Sequence, residues 1–309
     1  SADSVLNNAS QSMERATVYM HHKVLSNVRF SSGKGSALHH AVHTANLDMV
    51  KWILRLAPEL CEIQDNHGRI PLWYAVGSHS NSAIADLLLR CRAINTKSNN
   101  GMTPLHQAAA YGNTKTVHIL IKALSKGSVL TRGGCCGHLH TADNSGKTPL
   151  HYAASKGRSS LCSLFLYEGS DPLIRCRHNK TPLWYAMKHG RFGTAKLLLS
   201  QPIAPPSTLN MNTPEKQKWK NLQDDLVTFA AGNILDVKKA VEMLCVLKSK
   251  GVMPHTGNCV VSCMDRENGA DSVLHTLLNE MEANPFASIK GESTCAWYHF
   301  RNERCLRVI

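Results

Sequence analysis

The sequence predicts a mostly α-helical solenoid of short helix pairs, with a hairpin insertion, followed by a small α+β domain. Three observations predict it: a motif repeated five times, a near-constant spacing between copies, and a helix with one apolar stripe after each motif. The clearest copy, TPLHQAAAYGN, runs from Thr103 to Asn113 and returns as TPLHYAASKGR from Thr148 and TPLWYAMKHGR from Thr181. IPLWYAVGSHS from Ile70 is weaker, and SALHHAVHTAN from Ser36 is degraded. The leucines Leu38, Leu72, Leu105, Leu150 and Leu183 mark the register, spaced 34, 33, 45 and 33 residues apart.

In chain order, residues 1–33 are read as an N-terminal helical segment. Ser12 to Phe30 offers Met13, Ala16, Val18, Met20, Val24 and Leu25 for packing. The repeats occupy 34–200. His67-Gly68, Asn100-Gly101 and Ser145-Gly146 open three of them, because glycine accepts the positive φ of a tight turn. Thr then caps a helix whose first residue is Pro, where the missing N–H is no loss. The pairs Ala108-Ala109 and Ala153-Ala154 let neighbouring helices approach closely. The second helices carry stripes at Val50, Ile53 and Leu54; Ile84, Leu87 and Leu88; Val117, Leu120 and Ile121; and Ala195, Leu198 and Leu199. No repeat can bury its apolar side alone, so stacking must supply the stability.

His39, His106 and His151 share one motif slot, which suits an imidazole bridging turns by hydrogen bonds. Trp73 and Trp184 replace it in the second and fifth copies, which predicts altered packing there and no cofactor site. The 45-residue spacing places an insertion at about 125–140, SKGSVLTRGGCCGHLH. Val129-Leu130-Thr131 and His138-Leu139-His140 flank three glycines and read as a projecting hairpin. Cys135, Cys136, His138 and His140 could be taken for zinc ligands, but adjacent cysteines rarely serve one metal. No cofactor is expected.

The motif and its period near 33 resemble the ankyrin repeat. The resemblance implies a binding module whose ligands meet the hairpin tips and the exposed end of each first helix. Carried over position by position, that face comprises Asn66, His67, Arg69, Asn99, Asn100, Met102, Tyr111, Asn144, Lys147, Lys156, Arg177, His178, Lys180, Lys188 and His189. It grows more basic towards the last two copies.

The charge pattern points to an acidic partner. Lys and Arg number 35 against 22 Asp and Glu, yet residues 208–309 hold 12 of each sign, so the excess lies in 1–207. Such a surface suits an acidic protein, RNA or an anionic membrane. Aromatic and basic residues are not interleaved as in an RNA-binding sheet, which favours protein over RNA. The 11 cysteines form no small-scaffold framework, and Cys61, Cys91, Cys162 and Cys176 read as small core hydrophobes in a reducing compartment. Neither a membrane span nor a cleaved signal peptide is expected.

QPIAPPS at 201–207, with three prolines, marks a linker, and the period is lost beyond it. Residues 208–309 are read as a separate domain, with helices over about 214–230 and 235–250, another at 271–283, and paired strands in CAWYHFRNERCLRVI. The order of Gly257, Asn258 and Cys259, a helix, then His299 resembles papain-like peptidases. That resemblance implies a Cys259 nucleophile with His299 as base; it places no residue to orient the ring, for which Asn302 is the candidate, with Glu303 beside it. Cys263 is a rival nucleophile, and His255 and His275 are rival bases; a metal site from Cys259, Cys263 and Cys295 or Cys305 is a third reading. The combination resembles the ankyrin effectors that intracellular bacteria secrete into host cells. It implies a host protein as partner, bound by the concave face and inserted hairpin, and action in the host cytosol or nucleus. The alternative is a cysteine-protease-like hydrolase targeted by the array.

Overall fold

The structure, a computed structural model, describes residues 35–77, 82–89, 96–125, 136–200, 214–234, 236–254, 272–273 and 276–277. The helices used below are α1 (Ala37–His43), α2 (Leu47–Leu56), α3 (Pro71–Val76), α4 (Ser82–Leu88), α5 (Pro104–Tyr111), α6 (Thr114–Ser125), α7 (Cys136–Leu139), α8 (Pro149–Lys156), α9 (Ser159–Tyr167), α10 (Pro182–Lys188), α11 (Phe192–Leu199), α12 (Pro214–Asn233) and α13 (Val237–Ser249). The chain divides into two compact units. One comprises Ser1–Ala153, Leu164–Asp171 and Cys176–His178; the other comprises Ala154–Ser163, Pro172–Arg175 and Asn179–Ile309.

In the first unit, first helices pack on first helices (α1 on α3, α3 on α5) and second on second (α2 on α4, α4 on α6). The apolar stripes explain this arrangement. Val50, Ile53, Ile84, Leu88, Val117, Leu120 and Ile121 are all buried. Ala108, Ala109 and Ala153 are wholly buried, as close approach of helices requires. Each five-copy marker leucine is core: Leu38, Leu72, Leu105, Leu150 and Leu183 are at most 5% exposed.

Helix starts follow from local chemistry. Thr103 adopts extended backbone (φ −95°, ψ 166°) ahead of Pro104, and Thr181 does the same ahead of Pro182. The capping box uses histidine in place of the usual Glu or Gln. The Thr103 N–H donates to His106 Nδ1 at 3.1 Å, and the same geometry recurs for Ser36 with His39 and Thr148 with His151.

In the second unit, α10 pairs with α11 and α12 with α13, while α12 lies on α10 and α13 on α11. Helices α12 and α13 thus pack first on first and second on second, although their sequence has lost the repeat period. Leu226, Val227, Ala230, Ala240, Met243, Leu244 and Leu247 form their buried faces. Asp236 caps α13 by accepting from the Lys239 N–H at 3.3 Å.

Two expectations need correction. His138–His140, read as one strand of a hairpin, instead follows a helical course: α7 ends at Leu139, whose side chain is 2% exposed. One apolar residue with a site in the core outweighs the β-pattern of a three-residue run. A papain-like α+β fold for 208–309 is not supported: among the described residues the chain there is helical and no strand is present. The helix expected at Ser12–Phe30, insertion residues 126–135, the linker, and the strands expected near the C-terminus lie outside the described residues. Among the described residues, no helix is long and apolar enough to cross a membrane.

Candidate protein-binding surface

The turns that open the repeats are bonded to one another. The Asn99 N–H donates to the His67 carbonyl at 2.9 Å, Asn144 N–H to Asn100 at 3.0 Å, and Arg177 N–H to Ser145 at 2.9 Å. Side-chain amides add rungs: Asn99 Nδ2 donates to the Asn66 carbonyl, and Asn144 Nδ2 to that of Asn99, both at 2.9 Å. Glycine makes this approach feasible. At Gly101 (φ +75°) a Cβ would stand 2.7 Å from the Asn144 backbone nitrogen, and at Gly68 (φ +71°) 2.8 Å from that of Asn99. In the fifth copy Asn179 takes the corresponding left-handed position, φ 58°, which Asn tolerates better than most residues.

Histidines clamp two of the turns from within. His106 is fully buried; its Nδ1 accepts from Thr103, so the ring proton sits on Nε2, which donates to the Lys147 carbonyl of the next turn at 3.1 Å. His39 does the same to the Arg69 carbonyl at 2.9 Å. Burial disfavours the imidazolium, and the His106 pKa is pushed down to about 4. His39 is lowered too, for the same leading reason.

A further clamp escaped the sequence reading. Asp65 accepts from the backbone N–H groups of His67 and Arg69, from Arg69 Nε, and from the Tyr74 hydroxyl at 2.7 Å. Asp143 repeats the pattern with Ser145, Lys147 and, at 2.6 Å, the Tyr152 hydroxyl. The signal was an Asp nine residues before a Tyr in both copies. These bonds hold the Asp65 carboxyl below its ordinary pKa although burial opposes them, and burial together with Asp65 pushes the Tyr74 phenol up to about 12.

The predicted contact residues therefore separate by task. In the first unit, Asn66, His67, Asn99, Asn100, Asn144, Arg177 and His178 are exposed on the bonded tips, and Tyr111 is 46% exposed at the end of α5. Of these, Asn99 and Asn144 each use an amide donor to hold the ladder. Arg69 is bound to Asp65 at 2.9 Å, with its guanidinium 4.9 Å from the Tyr74 ring centroid. Lys147 lies 5.8 Å from the Tyr152 centroid, and Met102 is half-buried. In the second unit, Lys156, Lys188 and His189 are exposed and Lys180 is half-buried.

Trp184 draws two lysines of the second unit to its ring. The ammonium groups of Lys180 and Lys188 lie 5.2 and 5.1 Å from its ring centroid. Its other neighbours are Tyr185 at 5.2 Å and Phe229 of α12 at 5.6 Å. The expected change of packing at this slot is thus an aromatic contact where other copies have a histidine clamp. Trp73, the other replacement, is buried.

Cys61, Cys162 and Cys176 are buried, as small hydrophobes should be, and burial pushes the Cys162 thiol up to about 12. Cys91 and the proposed catalytic residues Cys259, His299 and Asn302 lie outside the described residues, as do Cys263, His255 and His275. Of the inserted segment, His140 is placed: its Nε2 lies 3.3 Å from both the Gly169 carbonyl and the Asp171 nitrogen.

A family model of ankyrin repeats in three copies matches the chain over residues 9–98, 38–133, 78–176 and 124–208, more than half of its length together. No curated protein matches it. Motif, period, bonded turns and paired helices agree with that match, and the chain belongs to the ankyrin-repeat family.

Proposed function

We propose that the chain is a protein-recognition module whose partner presents an acidic surface to the turn tips and first-helix ends. The ankyrin repeats indicate protein–protein interaction. The observation that supports the site is the bonded ladder of turns, from Asn66 to Arg177, which holds exposed side chains on a rigid frame. A preorganised surface loses little conformational entropy on binding. The acidic character of the partner follows from the charge excess in residues 1–207. The finer reading, a secreted bacterial effector of the AnkH or AnkD type that engages a host protein inside the host cell, rests on resemblance of arrangement alone.

The test uses the full chain with a photo-crosslinking residue at position 100 or 178 to identify the partner. Arg177→Glu with His178→Glu then weakens that partner at least tenfold while leaving the unfolding midpoint unchanged. Unaltered affinity refutes the reading. RNA as ligand predicts a steep loss of affinity between low and physiological salt, whereas a protein partner with a few rim charges predicts a shallow one.

A further inference from the structure

We propose that Arg175, Lys180 and Lys188, grouped about Trp184, form an anchoring site for carboxylate side chains of an acidic peptide, with Asp225 as a built-in competitor for it. The inference rests on the protein-recognition reading and gives it a specific locus.

Trp184 and Lys188, four residues apart, share one side of α10, and Lys180 precedes the Thr181 cap of the same helix. In the first, third and fourth copies the slot of Trp184 holds a histidine sealed against its own N-cap. Here the indole is only half-buried, and it draws both ammonium groups to about the same distance, 5.2 and 5.1 Å from its centroid. A cation held over an aromatic face is restrained without being neutralised. It stays available to an anion while having less rotamer freedom to lose.

One carboxylate already uses this arrangement. Asp225 Oδ2 of α12 accepts from Lys180 Nζ at 3.0 Å, and both side chains remain partly exposed. The same carboxylate acts electrostatically on Arg175, whose Nη1 donates to Asn179 Oδ1 at 3.0 Å. Lys180 and Arg175 thus both sense the half-exposed Asp225 carboxylate, and the exposed Lys188 lies over the same indole as Lys180. Among the described residues, no carboxylate pairs with Lys188. Two other lysines of this unit are paired, Lys196 with Glu242 and Lys239 with Asp236. A solvent-screened pair such as Lys180–Asp225 is held weakly, so an incoming acidic side chain can displace it.

The test measures binding of a fluorescein-labelled ten-residue polyglutamate peptide to the full chain by anisotropy at low salt. Lys180→Ala with Lys188→Ala weakens it about tenfold. Asp225→Asn, which removes the competitor and leaves the cations, tightens it about threefold or more. Unchanged or weaker binding by Asp225→Asn overturns the proposal, as does tighter capture of a single-stranded oligonucleotide than of the peptide. Trp184→Phe keeps a ring and guards against misfolding; it retains most of the affinity if the site exists, and Trp184→Ala does not. The two readings fail separately. Loss of partner binding by Arg177→Glu with no response to Asp225→Asn removes this site and leaves the tip surface in place.

Discussion

His106 Nε2 lies 3.1 Å from the Lys147 carbonyl, joining the third repeat to the turn that opens the fourth while Nδ1 closes the cap of its own helix. One ring thus satisfies groups in two repeats. His106→Ala leaves the Thr103 N–H and the Lys147 carbonyl without this partner in a buried setting. Unfolding free energy from urea titration is expected to fall by about 2–4 kcal/mol. A loss under about 0.5 kcal/mol contradicts the clamp.

The same geometry makes stability pH-dependent. The folded pKa of His106 is about 4, below the unfolded value of 6.5, so the unfolded chain binds the proton first. The contribution of His106 is therefore fully present above about pH 6.5 and is lost as pH drops towards 4, by ~3 kcal/mol. His39 is lowered likewise and adds to the loss. Unfolding midpoints measured between pH 7 and 4 should show the slope, and His106→Leu should flatten it.

Gly101→Ala is expected to cost more than an ordinary glycine substitution. It must adopt φ +75° and place its Cβ 2.7 Å from the backbone nitrogen of Asn144. Neither atom can move without breaking the bond from Asn144 N–H to the Asn100 carbonyl. A loss of about 2 kcal/mol or more follows, against about 1 kcal/mol for Asn99→Ala, which removes one rung. Thermal unfolding of both variants checks the order.

Tyr74 provides a test at the alkaline end. Its folded pKa of about 12 exceeds the ordinary 10, so its contribution is complete below pH 10 and is lost as pH rises through 12. Absorbance titration of the wild type against Tyr74→Phe should show one phenol ionising late.

Thiol reactivity separates the core cysteines from the hydrolase alternative. Cys162, buried with a pKa raised to about 12, is expected to resist iodoacetamide at neutral pH until the protein unfolds. A nucleophilic Cys259 would instead label within minutes in the native chain. Mass mapping of the labelled peptides reads both outcomes, and slow labelling of Cys259 removes the enzyme reading.

The repeat was legible because its parts act locally. A Thr-Pro start, a glycine turn and an apolar stripe each depend on residues within one helical turn or so, and period 33 shows only where such pieces are reused. The bridging role of the histidines was legible for the same reason, because slot and residue type coincide in three copies. The Asp65–Tyr74 clamp and the Lys180–Asp225 pair were harder to see, since each needs side chains from a turn and a separate helix to converge. The short helix at Cys136–Leu139 went unread because four residues carry too little pattern to show a helical period.

By itself, then, the sequence determined a family, a register and a basic surface: these are properties of short windows and of summed charge. Only the tertiary structure decided which exposed residues are free of structural duty, that α12 and α13 pack on α10 and α11 without any repeat motif, and that Asp225 sits beside Lys180 across 45 residues of chain. The reason is physical. Apolar burial has no sequence signature beyond an amphipathic face, and a charge pair distant along the chain exists only after packing has brought its two helices together.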